Sequence, residues 1–203
     1  MRRSTWVALS TIAALCVCVY SPTKSFPQSS ARTQGRSLDQ LIDESDVIVH
    51  GYVLSSKIEP HPQLRNLMTV VVSMNIKETY KGGTRKSLVF RQYVWDVGRG
   101  HAASEYKKGE ELVILLRPVS EYGLTSPAGL EQGRFRIVVD RNRRPTAVNG
   151  RGNFGLFDHL EKHAHTRSIP LSSHLTKVVR QHQEGSLLLA DLEDAIRTFS
   201  RSR

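Results

Sequence analysis

Polar and apolar positions alternate along several stretches of the chain, and this alternation predicts β-strands. The clearest case is residues 67–79, where Val70, Val72, Met74 and Ile76 alternate with polar residues. A period of two places such apolar side chains on one face of a strand. Residues 110–116 are apolar on both faces, as in a central strand. The remaining predicted strands cover 46–59, 87–94, 133–140 and 145–149, and residues 121–132 are predicted to hold a short strand and a turn at Ser126 and Pro127.

The first predicted strand contains a histidine and a glycine between apolar residues. Alternation over 46–59 places Val49 and Gly51 on one face and His50 and Tyr52 on the other. Glycine permits a strand to coil and lets a neighbouring strand approach closely. We therefore expect a structural role for Gly51 and place His50 on the outer or rim face.

Helices are predicted at both ends of this strand series. Ser37 and Gln40 have the spacing of a capping box, which predicts a helix over 38–44. Apolar residues recur at helical spacing in 171–183 and 189–200, whereas 151–170 suits a loop or a short helix. Short strands with turn residues between them and helices at the ends suggest a small antiparallel barrel or sandwich.

The N-terminal segment differs from the rest of the chain. Arg2 and Arg3 precede a run without charge from Trp6 to Tyr20, and prolines follow. This pattern is typical of a secretory signal peptide, and the run is short for a membrane span, although an uncleaved anchor is the alternative. We predict a signal or anchor over 1–30, a linker over 31–36, a barrel domain over 37–150, and a loop with C-terminal helices over 151–203. The domain would then be periplasmic or extracellular.

Cysteine content and charge narrow the functional classes. Both cysteines, Cys16 and Cys18, lie in the N-terminal run, so the exported domain would have no thiol or disulfide. This excludes a cysteine nucleophile and cysteine-ligated zinc there. The chain has 29 Lys and Arg against 19 Asp and Glu, and basic residues cluster at Arg141, Arg143 and Arg144. Such a surface attracts anionic lipid or polysaccharide, or is simply solvated; export disfavours nucleic acid as the partner.

The order of segments resembles a group of uncharacterised exported bacterial proteins. The matching features are S-D-V-I-V-x-G-x-V, T-V-V-V-S-M-N-I-K-E-T-Y-K-G, K-G-E-E-L-V-I-L-L and G-L-E-Q-G-R-F-R-I, within roughly residues 37–140. The pattern is also similar to the netrin-like, or tissue-inhibitor-of-metalloproteinase-like, variant of the OB barrel. This resemblance implies a mainly β fold, a small OB/netrin-like barrel. It does not transfer the inhibitors' zinc chelation, which uses an N-terminal cysteine of the mature chain, because no cysteine follows Cys18.

Two groups of residues are candidates for a site. The loop after the third strand offers Tyr93, Trp95, Arg99 and His101, and an OB barrel commonly binds ligands through such loops. Aromatic and arginine side chains there could stack on a ligand or clamp it. The alternative is that Trp95 packs beneath the loop.

The second group is a histidine cluster in D-H-L-E-K-H-A-H-T, which contains His159, Glu161, His163 and His165. A helix would place His159 and His163 on one face, and zinc or copper accepts such ligands. The alternative is a set of solvent-facing side chains on a polar connection. We expect a non-enzymatic binding module with an unidentified protein or polyanionic envelope partner. Direct membrane attachment would require an uncleaved N-terminal segment. Metal binding or a metal-dependent enzyme is the second hypothesis.

Overall fold

The computed structural model of the chain describes residues 35–94 and 106–201. Helix α1, Leu38–Glu44, begins with the predicted capping box, in which Ser37 and Gln40 satisfy each other's backbone N–H groups. The predicted signal or anchor segment and most of the predicted linker lie outside the described residues.

Seven strands follow in one antiparallel sheet, in the order β3-β2-β1-β4-β5-β6-β7. Strands β1 to β6 correspond to six of the predicted segments. The short strand predicted within 121–132 was wrong, because that segment forms only one isolated bridge, between Leu116 and Pro127, whereas β7 has two residues and was not predicted. The strands are β1 Val47–Pro60, β2 Met68–Lys81, β3 Ser87–Tyr93, β4 Glu111–Leu116, β5 Arg134–Val139, β6 Pro145–Asn149 and β7 Leu187–Leu188. A 3-10 turn, Leu130–Gly133, precedes β5.

The sheet is buried on both faces, although it has no disulfide among its described residues. One face of β1 to β4 forms an inner core that contains Val49, Val72 and Ile114. The opposite face packs against helices in a second, helix-side core that contains Ile48 and Leu115. Burial of both faces explains why β4 is apolar on both sides, as its sequence predicted.

Three C-terminal helices, together with α1, cover the helix-side core. They are α2 Leu160–Thr166, α3 Ser173–Gln181 and α4 Leu189–Ser200. Their buried residues, such as Leu160, Leu175 and Leu192, pack in the same cluster as sheet residues. The C-terminal part therefore shares one continuous core with the sheet. Within the described ranges, no helix has the length and apolar character needed to cross a bilayer.

The mainly β class with helices at both ends is confirmed, but the predicted barrel does not close. Strands β3 and β7 lie at the two ends of the strand order. The outer edge of β3 instead meets the segment after β4, where the Thr125 N–H donates to the Arg91 carbonyl at 2.9 Å. Closure would require a further strand in register, and an irregular segment occupies this position.

Gly51 has the structural role that its position predicted. A Cβ atom at this residue would lie 2.2 Å from the carbonyl oxygen of Asn75 in β2. Real side chains do not tolerate such a distance to backbone, so only glycine admits β2 here. The register of β1 and β2 also shifts between His50 and Gly51, which marks a β-bulge.

Candidate functional site

The predicted binding loop begins at the end of β3. Tyr93 is half-buried and lines a cavity of about 480 Å³ together with Gln92, Arg117 and Leu130. Trp95, Arg99 and His101 lie outside the described residues, so their part in a site stays a prediction.

A second concavity lies beside the first half of β3, and we call it the seam groove. Its volume is about 330 Å³. One wall is β3 and the other is the segment 117–125 that follows β4. Residues that line it include Leu88, Val89, Phe90, Leu116, Arg117 and Val119. Val89 and Val119 are 64% and 63% exposed, which leaves two large apolar side chains in solvent along one groove.

The backbone of β3 is directed into this groove at alternate residues. Lys86 O accepts a hydrogen bond from Ile76 N of β2, whereas Arg91 O points away from β2 and accepts from Thr125. Antiparallel pairing alternates in this way, so odd-numbered residues of β3 direct their N–H and C=O groups outward. Val89 therefore presents a donor and an acceptor to the groove, and no hydrogen bond to another described residue satisfies either group.

The groove is positively charged. Arg85, Arg91 and Arg117 line it. Arg91 forms an ion pair with Glu59 at 2.7 Å, and Arg85 donates to backbone carbonyls of the preceding turn. Arg117 is exposed and forms no ion pair with any other described residue.

The lining of the groove offers no residues for general acid–base catalysis. None of the described residues that line it is a carboxylate, histidine, cysteine, lysine or tyrosine. The groups that the seam groove does offer are the outward backbone N–H and C=O of Val89 and the arginine side chains, which suit the binding of a polypeptide segment.

The predicted histidine cluster does not converge in the structure. His159 precedes α2 in a left-handed conformation, and its ring centroid lies 6.4 Å from that of His163. Glu161 forms an ion pair with Arg180, in which Oε1 and Nε are 2.6 Å apart. His165 is exposed. No group of three or more His, Cys, Asp or Glu side chains in the described parts of the chain is placed to hold a metal ion. Metal binding by these residues stays a prediction, and the geometry adds no support for it.

His163 instead contacts a buried carboxylate. Its Nδ1 lies 2.7 Å from Oδ2 of Asp39, whose side chain is fully buried in α1. Ser37 Oγ donates to the other carboxylate oxygen at 2.6 Å, and Arg167 lies 3.6 Å away. A buried carboxylate needs such partners, so His163 ties α2 to α1.

A polar cluster around His50 was missed by the sequence reasoning. His50 is 4% exposed, not on an outer or rim face as predicted. Its Nε2 lies 2.9 Å from Glu111 of β4, and its Nδ1 lies 3.2 Å from Glu193 of α4. The alternation in β1 assigned His50 to the correct face of the sheet, but helix α4 covers that face at His50. The expectation of exposure was wrong because the strand pattern carries no information on which helix packs over it.

Two β-bulges in β2 complete this His50 cluster. The register of β1 and β2 shifts around Lys77 and again around Tyr80, so each is an extra residue on β2. Bulges re-aim side chains. Lys77 Nζ donates to Glu111 at 2.7 Å, and the Tyr80 hydroxyl donates to Glu193 at 2.7 Å. Both acids therefore have a second donor besides His50.

The electrostatics of the His50 cluster follow from these contacts. Burial opposes ionisation of Glu111, but hydrogen bonds from Lys77 and His50 outweigh it and lower the pKa of this carboxyl. The hydrogen bond to Glu111 raises the pKa of Lys77. Burial, with the hydrogen bond to Glu193, raises the pKa of the Tyr80 hydroxyl well above its ordinary value.

The His50 cluster has the geometry of a connection between sheet and helix. Both imidazole nitrogens face protein carboxylates, so neither is directed at a substrate. The cluster therefore satisfies buried charges beneath α4.

Comparison of the chain with protein-family models, curated proteins and solved structures finds no match.

Proposed function

We propose that this chain is an exported, non-enzymatic binding module that takes an extended acidic polypeptide segment along the outer edge of β3. The observation that carries the proposal is the outward direction of the Val89 N–H and C=O groups beside the seam groove. An unpaired strand edge accepts another strand through main-chain hydrogen bonds, and adjacent pockets supply side-chain specificity.

The chemistry of the groove selects the occupant. Exposed Val89 and Val119 favour apolar side chains at alternate positions of the bound segment. Arg85 and Arg117 favour carboxylates that flank them, because complementary charge increases the rate and the specificity of association. The export part of the proposal rests on the N-terminal pattern of Arg2 and Arg3 before an uncharged run.

Fluorescence anisotropy with a labelled synthetic peptide tests the proposal. The probe alternates valine and threonine between terminal aspartates (Asp-Val-Thr-Val-Thr-Val-Asp). One control peptide has lysine in place of aspartate, and another has N-methyl groups at alternate backbone positions, which block strand pairing. We expect binding of the first peptide only. Equal binding of the N-methylated peptide would show that strand pairing is not the mode.

Variants of the chain locate the bound peptide. Val89→Pro removes the outward N–H without loss of a bond to β2 and should weaken binding about tenfold. Val89→Thr retains the N–H and should bind normally. Arg117→Glu should also weaken binding about tenfold, whereas Arg136→Glu, the same charge change on β5, should not. If neither Val89→Pro nor Arg117→Glu affects binding, the edge of β3 is not the site.

A further inference from the structure

The hairpin of β5 and β6 ends in a projecting tip with exposed apolar residues. Pairing of β5 with β4 stops at Arg136, whereas pairing with β6 continues to Val139. Val138 and Val139 are 46% and 69% exposed. Successive residues of a strand point to opposite faces, so the tip is apolar on both of its faces.

Arginines surround this apolar tip. In the turn, Asp140 accepts hydrogen bonds from backbone N–H groups and pairs with the Arg144 side chain at 3.0 Å, so these two charges compensate each other. Arg136, Arg141 and Arg143 are exposed, and none of them forms an ion pair with another residue in the described ranges. The hairpin tip, residues 136–145, is therefore a positively charged projection.

The backbone at Arg143 is unfavourable for an arginine. Its φ is +59°, in the left-handed region where glycine and asparagine are favoured. Glycine would adopt this conformation at a lower free-energy cost than arginine. A long cation at a strained position points to a use for its side chain.

We propose that the hairpin tip inserts end-on into the headgroup region of an anionic phospholipid bilayer. Apolar side chains would reach the acyl boundary while the arginines meet lipid phosphates, an arrangement typical of interfacial protein segments. Apolar residues on both faces fit a tip that lipid surrounds, whereas a docked protein would cover one face. A polysaccharide or nucleic acid would engage the arginines but would gain nothing from the valines. This surface is separate from the seam groove, since β2, β1 and β4 lie between β3 and β5.

Sedimentation of the full chain with lipid vesicles tests the proposal. Partition is measured for phosphatidylcholine vesicles and for equal parts of phosphatidylcholine and phosphatidylglycerol. The ratio of the two cancels the contribution of the apolar N-terminal run, which is common to both. We expect Arg143→Gly to lower this ratio about fivefold, because each arginine or lysine near an anionic surface contributes about 1 kcal/mol to binding. Its Tm should not fall, because glycine relieves the left-handed conformation.

Three further variants give the decisive comparisons. Arg141→Gln should lower the ratio about as much as Arg143→Gly, and Arg65→Gly, the same charge change in the β1–β2 loop, should leave it unchanged. The double variant Val138→Thr with Val139→Thr keeps the branched shape and should lower binding to anionic vesicles severalfold. If the arginine variants lose anionic binding but the valine variant does not, the tip is a general polyanion surface and the bilayer proposal fails. It also fails if neither arginine variant changes the ratio.

Discussion

Replacing His50 by leucine should destabilise the protein by about 3 kcal/mol, because it leaves two acids without a shared donor. The side chains of Glu111 and Glu193 are 23% and 16% exposed. A hydrogen bond to a charged group contributes about 1.5–3 kcal/mol, and the contact at 3.2 Å adds roughly 1 kcal/mol. Leucine recovers about 1 kcal/mol by burial, which the repulsion of the two carboxylates offsets.

The measurement is urea denaturation at neutral pH. His50→Leu should lower the midpoint without a change in the slope m. His174→Leu is the matched control, since His174 also lies 2.7 Å from a carboxylate, Asp191, but its side chain is 66% exposed. An exposed pair of this kind contributes about 0–1 kcal/mol.

A third variant separates charge from packing. His50→Leu combined with Glu111→Gln and Glu193→Gln removes the repulsion between the two carboxylates, which otherwise keep Lys77 and Tyr80 as their donors, and should recover part of the lost stability. The reasoning is refuted if His50→Leu costs no more than His174→Leu. It is equally refuted if the triple variant is less stable than His50→Leu alone.

Three further predictions concern strand approach and titration. Gly51→Ala should cost more than about 3 kcal/mol by urea denaturation, because its Cβ would lie 2.2 Å from the carbonyl of Asn75; a neutral result would mean that the strands can separate here. Lys77→Met should raise the pKa of Glu111 in a carboxyl NMR titration, because burial then acts with less opposition. In the wild type, Glu111 contributes to the free energy of unfolding at pH values above its ordinary pKa of 4.5, and this contribution is lost as the pH falls. Lys77→Met should therefore make the stability depend less on pH in this acidic range. Burial lowers the pKa of His182 from 6.5, so wild-type stability should decline as pH falls below 6.5, and this decline should be smaller in His182→Phe.

The fold was predictable wherever local patterns decide it. The capping box at Ser37 and the strict alternation of β2 each specify one element without reference to the rest of the chain. The two-residue strand β7 has no such signal, because it exists only through its pairing with β6. Local patterns also could not predict that the sheet stays open, because this depends on the irregular segment after β4, in which Thr125 contacts Arg91 of β3.

The sites were less predictable than the fold. Spacing in the sequence brought His159 and His163 together but could not show that Asp39, distant in the chain, engages His163. The same limit applied to His50, whose partners Glu111 and Glu193 come from β4 and α4. A histidine at the midpoint of an apolar strand was the one available signal, and it indicated an unusual position without naming the partners.

The bulges at Lys77 and Tyr80 have a consequence for how the chain tolerates changes of length. Each inserts one residue into β2 relative to β1, and side chains in a strand change faces with every residue. Deleting Lys77 alone would shift the first part of β2 by one position, so Val72 and Met74 would leave the inner core. A deletion of equal size in the β1–β2 loop, residues 61–67, would alter neither face. Length variation among natural homologues should therefore occur in that loop and be absent from residues 76–81.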